Sequence, residues 1–221
     1  MKISRRQFLS YCMSSAATLS CSSLIEQLEE LLNPGSTVNS AKEVIWLNAS
    51  NCTGCTVSLS NLFSYDAPQD IADLLINYIN LVFHPNLMGA AGDLAFKQIV
   101  NNMDKDFILV VDGGIPTAFN GHACMLWTDA AGNEITAMDA VNELAPLASA
   151  VVAVGTCSSF GGIPAAGSNE TDIKTVKQLT GIESINIPGC PPHPDWIVWA
   201  IARLLVGEKP VLDAYGRPAE L

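Results

Sequence analysis

Short apolar runs alternate along this chain with longer segments that have a helical period. Residues 43–47, 81–83, 107–111 and 150–154 are the clearest runs, and residues 184–187 form a fifth predicted strand. Runs of this length without polar alternation are typical of strands buried on both faces of a parallel sheet. Together with the helical segments between them, they predict an α/β domain with a flavodoxin-like, doubly wound parallel sheet.

The intervening helices are predicted from apolar residues that recur at i, i+3, i+4 and i+7. They are expected from about residue 57, from residue 67, over residues 94–103, over residues 136–148, over residues 172–179 and from Pro194. Thr136 and Asp139 suit an N-terminal cap for the fourth helix. Pro194 is tolerated because it falls in the first turn of the last helix.

The composition narrows the class of protein. The 221 residues suffice for one domain with a substantial core, and 49% of them are apolar while only 15% are charged. These proportions indicate a well-buried globular domain or part of a larger assembly, not a disordered chain. The net charge of −11 argues against nucleic acid as a partner, because phosphate contacts need Lys and Arg.

Residues 1–40 differ from the rest and are predicted to be a leader. The sequence SRRQFL at residues 4–9 precedes a weakly apolar run that is too short and too rich in Ser and Thr for a comfortable membrane span. These features resemble a twin-arginine export signal, which carries folded proteins to the periplasm. We expect cleavage near residues 38–41, which leaves residues 41–221 as the folded domain. A lipid-modified terminus at Cys21 is the alternative.

Four cysteines stand out because each group follows a predicted strand. Cys52 and Cys55 form a CxxC motif after the first strand, and Cys157 and Cys190 follow the last two strands. Ligands of open α/β sheets bind at the carboxyl ends of the strands, so these side chains are expected to meet at one edge. Four thiolates with small neighbours suit a [4Fe–4S] cluster. The neighbouring glycines are Gly54, Gly155, Gly161, Gly162 and Gly189.

The cysteine pattern alone leaves other interpretations open. A structural zinc site needs similar ligands, although such sites usually combine two local CxxC pairs and only one is present here. A redox-active CxxC pair leaves Cys157 and Cys190 unexplained. Disulfides suit an exported protein, but the folded domain has five cysteines, an odd number. Unrelated buried cysteines are the remaining option.

The other chemically distinctive residues are expected to be structural. Cys124 follows no comparable glycine-rich loop and is predicted to be a buried free thiol. His84 and His193 each precede a proline and are interpreted as structural, and Asp112 is interpreted as a loop anchor after the third strand. We find no Ser/His/Asp array, Walker loop or dinucleotide fingerprint in the sequence.

Three motifs in this order, CTGC, GTCSSFGGIPAA and NIPGCPPHPDW, resemble the small subunit of nickel–iron hydrogenases. The resemblance runs from about residue 41 to the end and includes LVFHPNLM and DGGIPTA. The related quinone-reductase subunit of respiratory complex I has adjacent cysteines in place of CxxC, so the CTGC motif favours the hydrogenase family. The leader agrees, because exported hydrogenases of this family carry a twin-arginine signal on the small subunit.

The resemblance implies an oxidoreductase subunit that transfers electrons and does not bind H2 itself. Cys52, Cys55, Cys157 and Cys190 would ligate the proximal [4Fe–4S] cluster, and a separate large subunit would hold the nickel–iron centre. A further iron–sulfur or cytochrome protein is expected as an electron-transfer partner, and any membrane association would run through a partner. The alternative is a hydrogen-sensing or scaffold protein of the same fold without turnover; a thiol–disulfide protein is a third interpretation.

Two departures from the family pattern bear on this interpretation. Many members have Glu just before the first motif cysteine, where this chain has Asn51. Asn cannot carry a proton by ionising, so the resemblance does not extend to a proton route through that position. The selenium-containing branch of the family also lacks this Glu, and residues 57–59 of this chain resemble that branch. Exported members also continue into a domain with two further clusters, so we expect more chain or another polypeptide to continue the electron path beyond residue 221.

Overall fold

The computed structural model describes residues 42–65, 68–129 and 131–221. The predicted leader, residues 1–40, lies outside these described residues. Within the described ranges, no helix is both long and apolar enough to span a membrane.

Five parallel strands form the central sheet, as the sequence predicts. Their bounds are Glu43–Asn48 (β1), Asn80–Phe83 (β2), Phe107–Asp112 (β3), Ala150–Val154 (β4) and Ile185–Ile187 (β5). The order across the sheet is β2-β1-β3-β4-β5, and all neighbouring strands pair in parallel. This is the strand order of flavodoxin-like folds, so the predicted fold class is confirmed.

Seven α-helices occur in the described ranges. Their bounds are Gly54–Ser60 (α1), Ile71–Asn77 (α2), Asp93–Val100 (α3), Ala137–Leu144 (α4), Gly155–Phe160 (α5), Val176–Thr180 (α6) and Pro194–Leu205 (α7). The predicted cap of α4 is present, because the Thr136 and Asp139 side chains each bond the backbone of the other residue in a capping box. Helix α7 begins at Pro194, as predicted.

Different helices cover the two faces of the sheet, because side chains alternate along each strand. Val44 and Trp46 of β1 pack in one core cluster with residues of α1, α2 and α7. Ile45 and Leu47 pack in the other cluster with residues of α3, α4 and α6. The sheet is therefore buried on both sides, which explains why its strands contain so few polar residues.

The structure differs from the sequence prediction at the start of two helices. Helix α1 begins at Gly54, not near residue 57, so Cys55 lies on the helix and not in a loop. Residues 173–174, predicted to be helical, pair antiparallel with Ile115–Pro116. Helix α6 begins only after them because Thr175 and Gln178 form a capping box that fixes its first turn.

The segment between β3 and α4 also contains structure that the sequence pattern does not predict. Met125–Thr128 and Glu134–Thr136 pair as a short antiparallel ribbon. A polar excursion is expected near residues 130–133, and residues 131–133 belong to the connection between these two strands.

The stability of the fold should depend on the middle of the sheet. Leu109 of β3 is fully buried and pairs with Ile45 on one side and Val151 on the other. We expect Leu109→Ala to lower the free energy of unfolding by about 2–5 kcal/mol, because the lost methyl groups leave a cavity that cannot collapse. Leu94→Ala is the matched control, since Leu94 is 66% exposed and should change stability by less than about 0.5 kcal/mol. Urea unfolding measures both, and equal losses would contradict the assigned core.

Candidate metal centre

All four predicted site cysteines lie at the carboxyl edge of the sheet. Cys52 and Cys55 follow β1, Cys157 lies in the first turn of α5 directly after β4, and Cys190 follows β5. This edge includes the point where the connections from β1 and β3 leave in opposite directions across the sheet. Open α/β folds bind their ligands at such a switch point. The placement predicted from sequence is therefore found in the structure.

Hydrogen bonds fasten the loop of Cys190 to the other two cysteine segments. The Thr156 backbone N–H donates to the Gly189 carbonyl at 2.9 Å, and the Gly189 N–H donates to the Thr156 hydroxyl at 3.1 Å. On the other side, the Ser58 hydroxyl of α1 donates to the Pro192 carbonyl at 2.6 Å. Segments that are far apart in sequence are thus held in a fixed relation around the thiols.

The loop that carries Cys52 is fixed by the end of β3. The Ala49 N–H donates to the Asp112 carbonyl at 2.7 Å, and Ser50 and Gly114 exchange two backbone hydrogen bonds of 3.0 and 3.2 Å. Gly113 allows this close approach, because a Cβ at its φ of +100° would lie 2.8 Å from the Ser50 backbone. The β1 and β3 loops therefore act as one unit beneath the CxxC motif.

The four thiols interact through their charges. Cys55 is buried and Cys157 half-buried, whereas Cys52 and Cys190 are exposed. Burial raises the pKa of the Cys55 thiol, and the charges of Asp112, Cys157 and Cys52 raise it further. Burial also raises the pKa of Cys157, and the charge of Cys190 adds to the rise. Four thiolates could therefore coexist here only if a positive charge balanced them.

Glycine is required where the backbone passes closest to the sulfurs. Gly155 has φ +88°, and a Cβ there would lie 2.6 Å from Cys55 Sγ. Gly162 has φ +55°, and a Cβ there would lie 2.9 Å from both Cα and Sγ of Cys157. Both predicted glycines thus leave open a space next to a thiol that any larger residue would fill.

Buried polar atoms near the thiols lack hydrogen-bond partners. Among them are one carboxylate oxygen of Asp112, Oδ2, and the hydroxyl of Ser158. Burial raises the pKa of Asp112 to about 6, although interactions with Cys55 and Asn51 oppose the rise. Asp112 is predicted from the sequence to be a loop anchor, and its backbone carbonyl does hold the β1 loop. Its position at the end of an otherwise apolar strand is the sequence signal for the electrostatic contact with Cys55.

The remaining cysteine and two of the histidines make structural contacts. Cys124 is half-buried and packs against the core cluster on the other face of the sheet. His193 caps α7, where its Nδ1 accepts from the Asp195 N–H at 3.3 Å. His122 is exposed and lies 3.3 Å from Glu134.

The cysteines of the described residues are neither grouped around one point nor joined in pairs. In the part of the chain that the structure describes, no three His, Cys, Asp or Glu side chains are grouped closely enough to hold one metal ion. The five cysteines in these ranges are all free thiols. The four thiols thus share one edge and one electrostatic environment without closing on a single point.

Comparison with known proteins supports the class that this fold and site indicate. A family model described as NADH ubiquinone oxidoreductase, 20 Kd subunit, matches residues 52–204, a range that contains all four cysteines. The chain is therefore an oxidoreductase subunit of the class that this model describes.

The curated relatives are more specific. The periplasmic [NiFeSe] hydrogenase small subunit of Desulfomicrobium baculatum is 39% identical over 242 residues, with 99% of this chain and 73% of that protein covered. The Hydrogenase-2 small chain of Escherichia coli K12 is 36% identical over 223 residues, with 98% and 56% covered. The present chain thus spans between about half and three quarters of the length of these relatives.

The solved structures agree. The reduced, active form of the Ni-Fe-Se hydrogenase from Desulfomicrobium baculatum superposes with a TM-score of 0.73 at 40% identity, covering 81% of this chain and 70% of that one. The chain belongs to the family of small subunits of nickel–iron and nickel–iron–selenium hydrogenases, as its cysteine motifs predict. The catalytic centre of such enzymes lies in a large subunit.

The close approach at Gly155 gives a test of the site geometry. Gly155→Ala should lower the free energy of unfolding by about 2–4 kcal/mol, because it adds an overlap with Cys55 Sγ to the cost of a left-handed alanine. Gly181→Ala is the matched control, with φ +74° and nothing within 4 Å of the added Cβ. The control should lose only about 1 kcal/mol. Urea unfolding under reducing conditions measures both, and equal losses would refute the crowding at Cys55.

Proposed function

We propose that this chain is the electron-transfer small subunit of an exported nickel–iron hydrogenase, and that residues 41–221 form its proximal-cluster domain. Cys52, Cys55, Cys157 and Cys190 would ligate a [4Fe–4S] cluster. The observation that carries the proposal is the placement of these four thiols at one edge of the sheet, within range of one another's charge. When bound, such a cluster accepts and releases one electron at a time.

The residues at this edge fit an iron–sulfur cluster better than a zinc ion. Structural zinc gathers four ligands around a single point, whereas each cysteine of a four-iron cluster binds a different iron. Structural zinc sites also usually combine two local CxxC pairs, whereas only Cys52 and Cys55 form such a pair here. Gly155 and Gly162 leave space beside the sulfurs. The unpartnered Ser158 hydroxyl could donate a hydrogen bond to a cluster sulfur.

The pKa shifts of the thiols support the same proposal. Burial and mutual repulsion keep Cys55 and Cys157 protonated when no cation is present. Iron would reverse this preference, because a bound cation stabilises the thiolate. Loading of the site therefore releases protons, and the assembled thiolates depend on the metal charge for their stability.

An apolar rim around the thiols suits a partner subunit. We use this name for Val57, Phe160, Ile163 and Trp196, which follow the cysteine motifs and have exposed fractions between 38% and 76%. Exposed apolar groups clustered at a site are typical of a protein interface. The proposed occupant is the large subunit that holds the nickel–iron centre. This chain would receive the two electrons of H2 singly and pass them to a further iron–sulfur or cytochrome protein.

Export is proposed from the leader and from the relatives. Residues 1–40 carry the twin-arginine pattern, with cleavage near residues 38–41. Several relatives are named periplasmic, including those from Desulfomicrobium baculatum and Solidesulfovibrio fructosivorans. A route for folded proteins is consistent with a site whose ligands come from distant parts of the chain, because such a site exists only after folding.

Iron analysis tests the proposed cluster. The chain purified anaerobically should contain about four irons, as one cubane requires. Cys190→Ser should lose most of this iron and its visible absorption, whereas Cys124→Ser should keep both, because Cys124 packs in the other core cluster. Metal analysis with visible spectroscopy gives the readout. Stoichiometric zinc without iron in the unmodified protein would reject the cluster.

Cell fractionation tests the export route. Replacement of both Arg5 and Arg6 by Lys keeps the charge of the leader but removes the twin arginine. The variant should accumulate as an uncleaved precursor in the cytoplasm. Lys2→Arg is the control, since it alters another basic residue of the same leader and should be exported normally. Periplasmic recovery of the double-lysine variant at the level of the unmodified protein would contradict the assignment.

A further inference from the structure

A buried histidine lies beneath the helix that carries Cys55. His84 follows β2 and is fully buried. Its ring lies 5.0 Å from the ring of Trp46, and its Nε2 lies 3.4 Å from the hydroxyl oxygen of Thr56. Thr56 is itself buried and follows Cys55 directly on α1. His84 therefore joins the end of one strand to the helix that begins at the CxxC motif.

The hydrogen bonds of His84 define its tautomer. The Asn86 backbone N–H donates to Nδ1 at 3.2 Å, so Nδ1 must be the nitrogen with the free lone pair. The proton of the neutral ring is then on Nε2, from which it can be donated to Thr56. Burial lowers the pKa of His84 to about 4, so the ring is neutral near pH 7 and this single donor is fixed.

Helix α1 needs such lateral support. It has only seven residues, and its N-cap residue, Thr53, has φ +61° and makes no side-chain cap hydrogen bond. Helices this short are not stable without contacts to the rest of the protein. Side-chain contacts tie α1 to three other segments: Cys55 to the Val154 carbonyl, Thr56 to His84, and Ser58 to the Pro192 carbonyl. The Thr56 contact acts on the residue directly after Cys55 without using a thiol.

We propose that His84 is a positioning residue for the metal centre. Its Nε2–H holds Thr56 and thereby fixes the first turn of α1, which presents Cys55. The inference rests on the proposed function, because it assigns His84 an effect on the cluster that Cys55 would bind. A histidine that only fills the core would affect the stability of the fold and leave the properties of the cluster unchanged.

Two pairs of variants separate these roles. The Asn side chain in His84→Asn is too short to reach Thr56. The amide nitrogen of the Gln side chain in His84→Gln replaces Nε2 as the donor. Thr56→Val removes the acceptor at nearly constant volume, whereas Thr56→Ser keeps it. His122→Asn is a control for the loss of an imidazole, since His122 is exposed and its Nε2 lies 3.3 Å from Glu134.

The readouts are the rate of iron loss to a chelator and the electron paramagnetic resonance spectrum of the reduced cluster, on the full chain purified anaerobically. His84→Asn and Thr56→Val should lose iron about tenfold faster, as changes behind the ligands of a metal typically do, and should share an altered spectrum. His84→Gln, Thr56→Ser and His122→Asn should stay within about twofold of the unmodified rate. The double variant of His84→Asn with Thr56→Val should lose iron no faster than either single variant, because both remove the same contact.

An unchanged rate and spectrum in Thr56→Val would overturn the inference, as would an undiminished effect of His84→Asn in the Thr56→Val background. If His84→Asn fails to fold, Thr56→Val decides alone. Absence of iron from the unmodified chain would instead overturn the proposed function, and the inference with it. The two failures are therefore distinguishable.

Discussion

The parallel pairing of β1, β3 and β4 is the constraint on which the site depends. Six residue pairs align β1 with β3, and five align β3 with β4. Parallel strands that share a register must end at the same edge, so the segments after them are brought together whatever their separation in sequence. The apolar side chains on both faces hold this register, because a slip of one residue would move each of them to the opposite face. The arrangement of the thiols is thus a consequence of core packing.

The chemistry of that edge favours neutral thiols. Burial raises the pKa of Cys55 and of Cys157, and neighbouring charges at this edge raise each pKa further. Four thiolates would therefore repel one another unless a cation balanced them, and perturbed groups gathered in this way are typical of functional sites. The hydrogen bonds between Thr156 and Gly189, and between Ser58 and Pro192, hold together the segments that carry these thiols.

The sequence predicts the buried strands and the cysteine site, and both can be predicted for physical reasons. Residues 107–111 and 150–154 are recognisable strands because burial on both faces removes all polar residues from them. The cysteines are recognisable because so few functions need four thiols after parallel strands. The start of α1 is not predictable, because it depends on contacts with distant residues and on a left-handed Thr53. The contacts of His84 and Asp112 depend likewise on neighbours that only the folded chain supplies.

Under the proposed function, the uneven burial of the thiols would impose an order of assembly. Cys52 and Cys190 are open to solvent on the same edge as the apolar rim, while Cys55 lies behind them. A subunit docked on that rim would close the entrance through which iron and sulfide must arrive. Maturation of this chain would then have to precede its union with a partner, and a prematurely formed complex would trap an apo form that could not be repaired without dissociation.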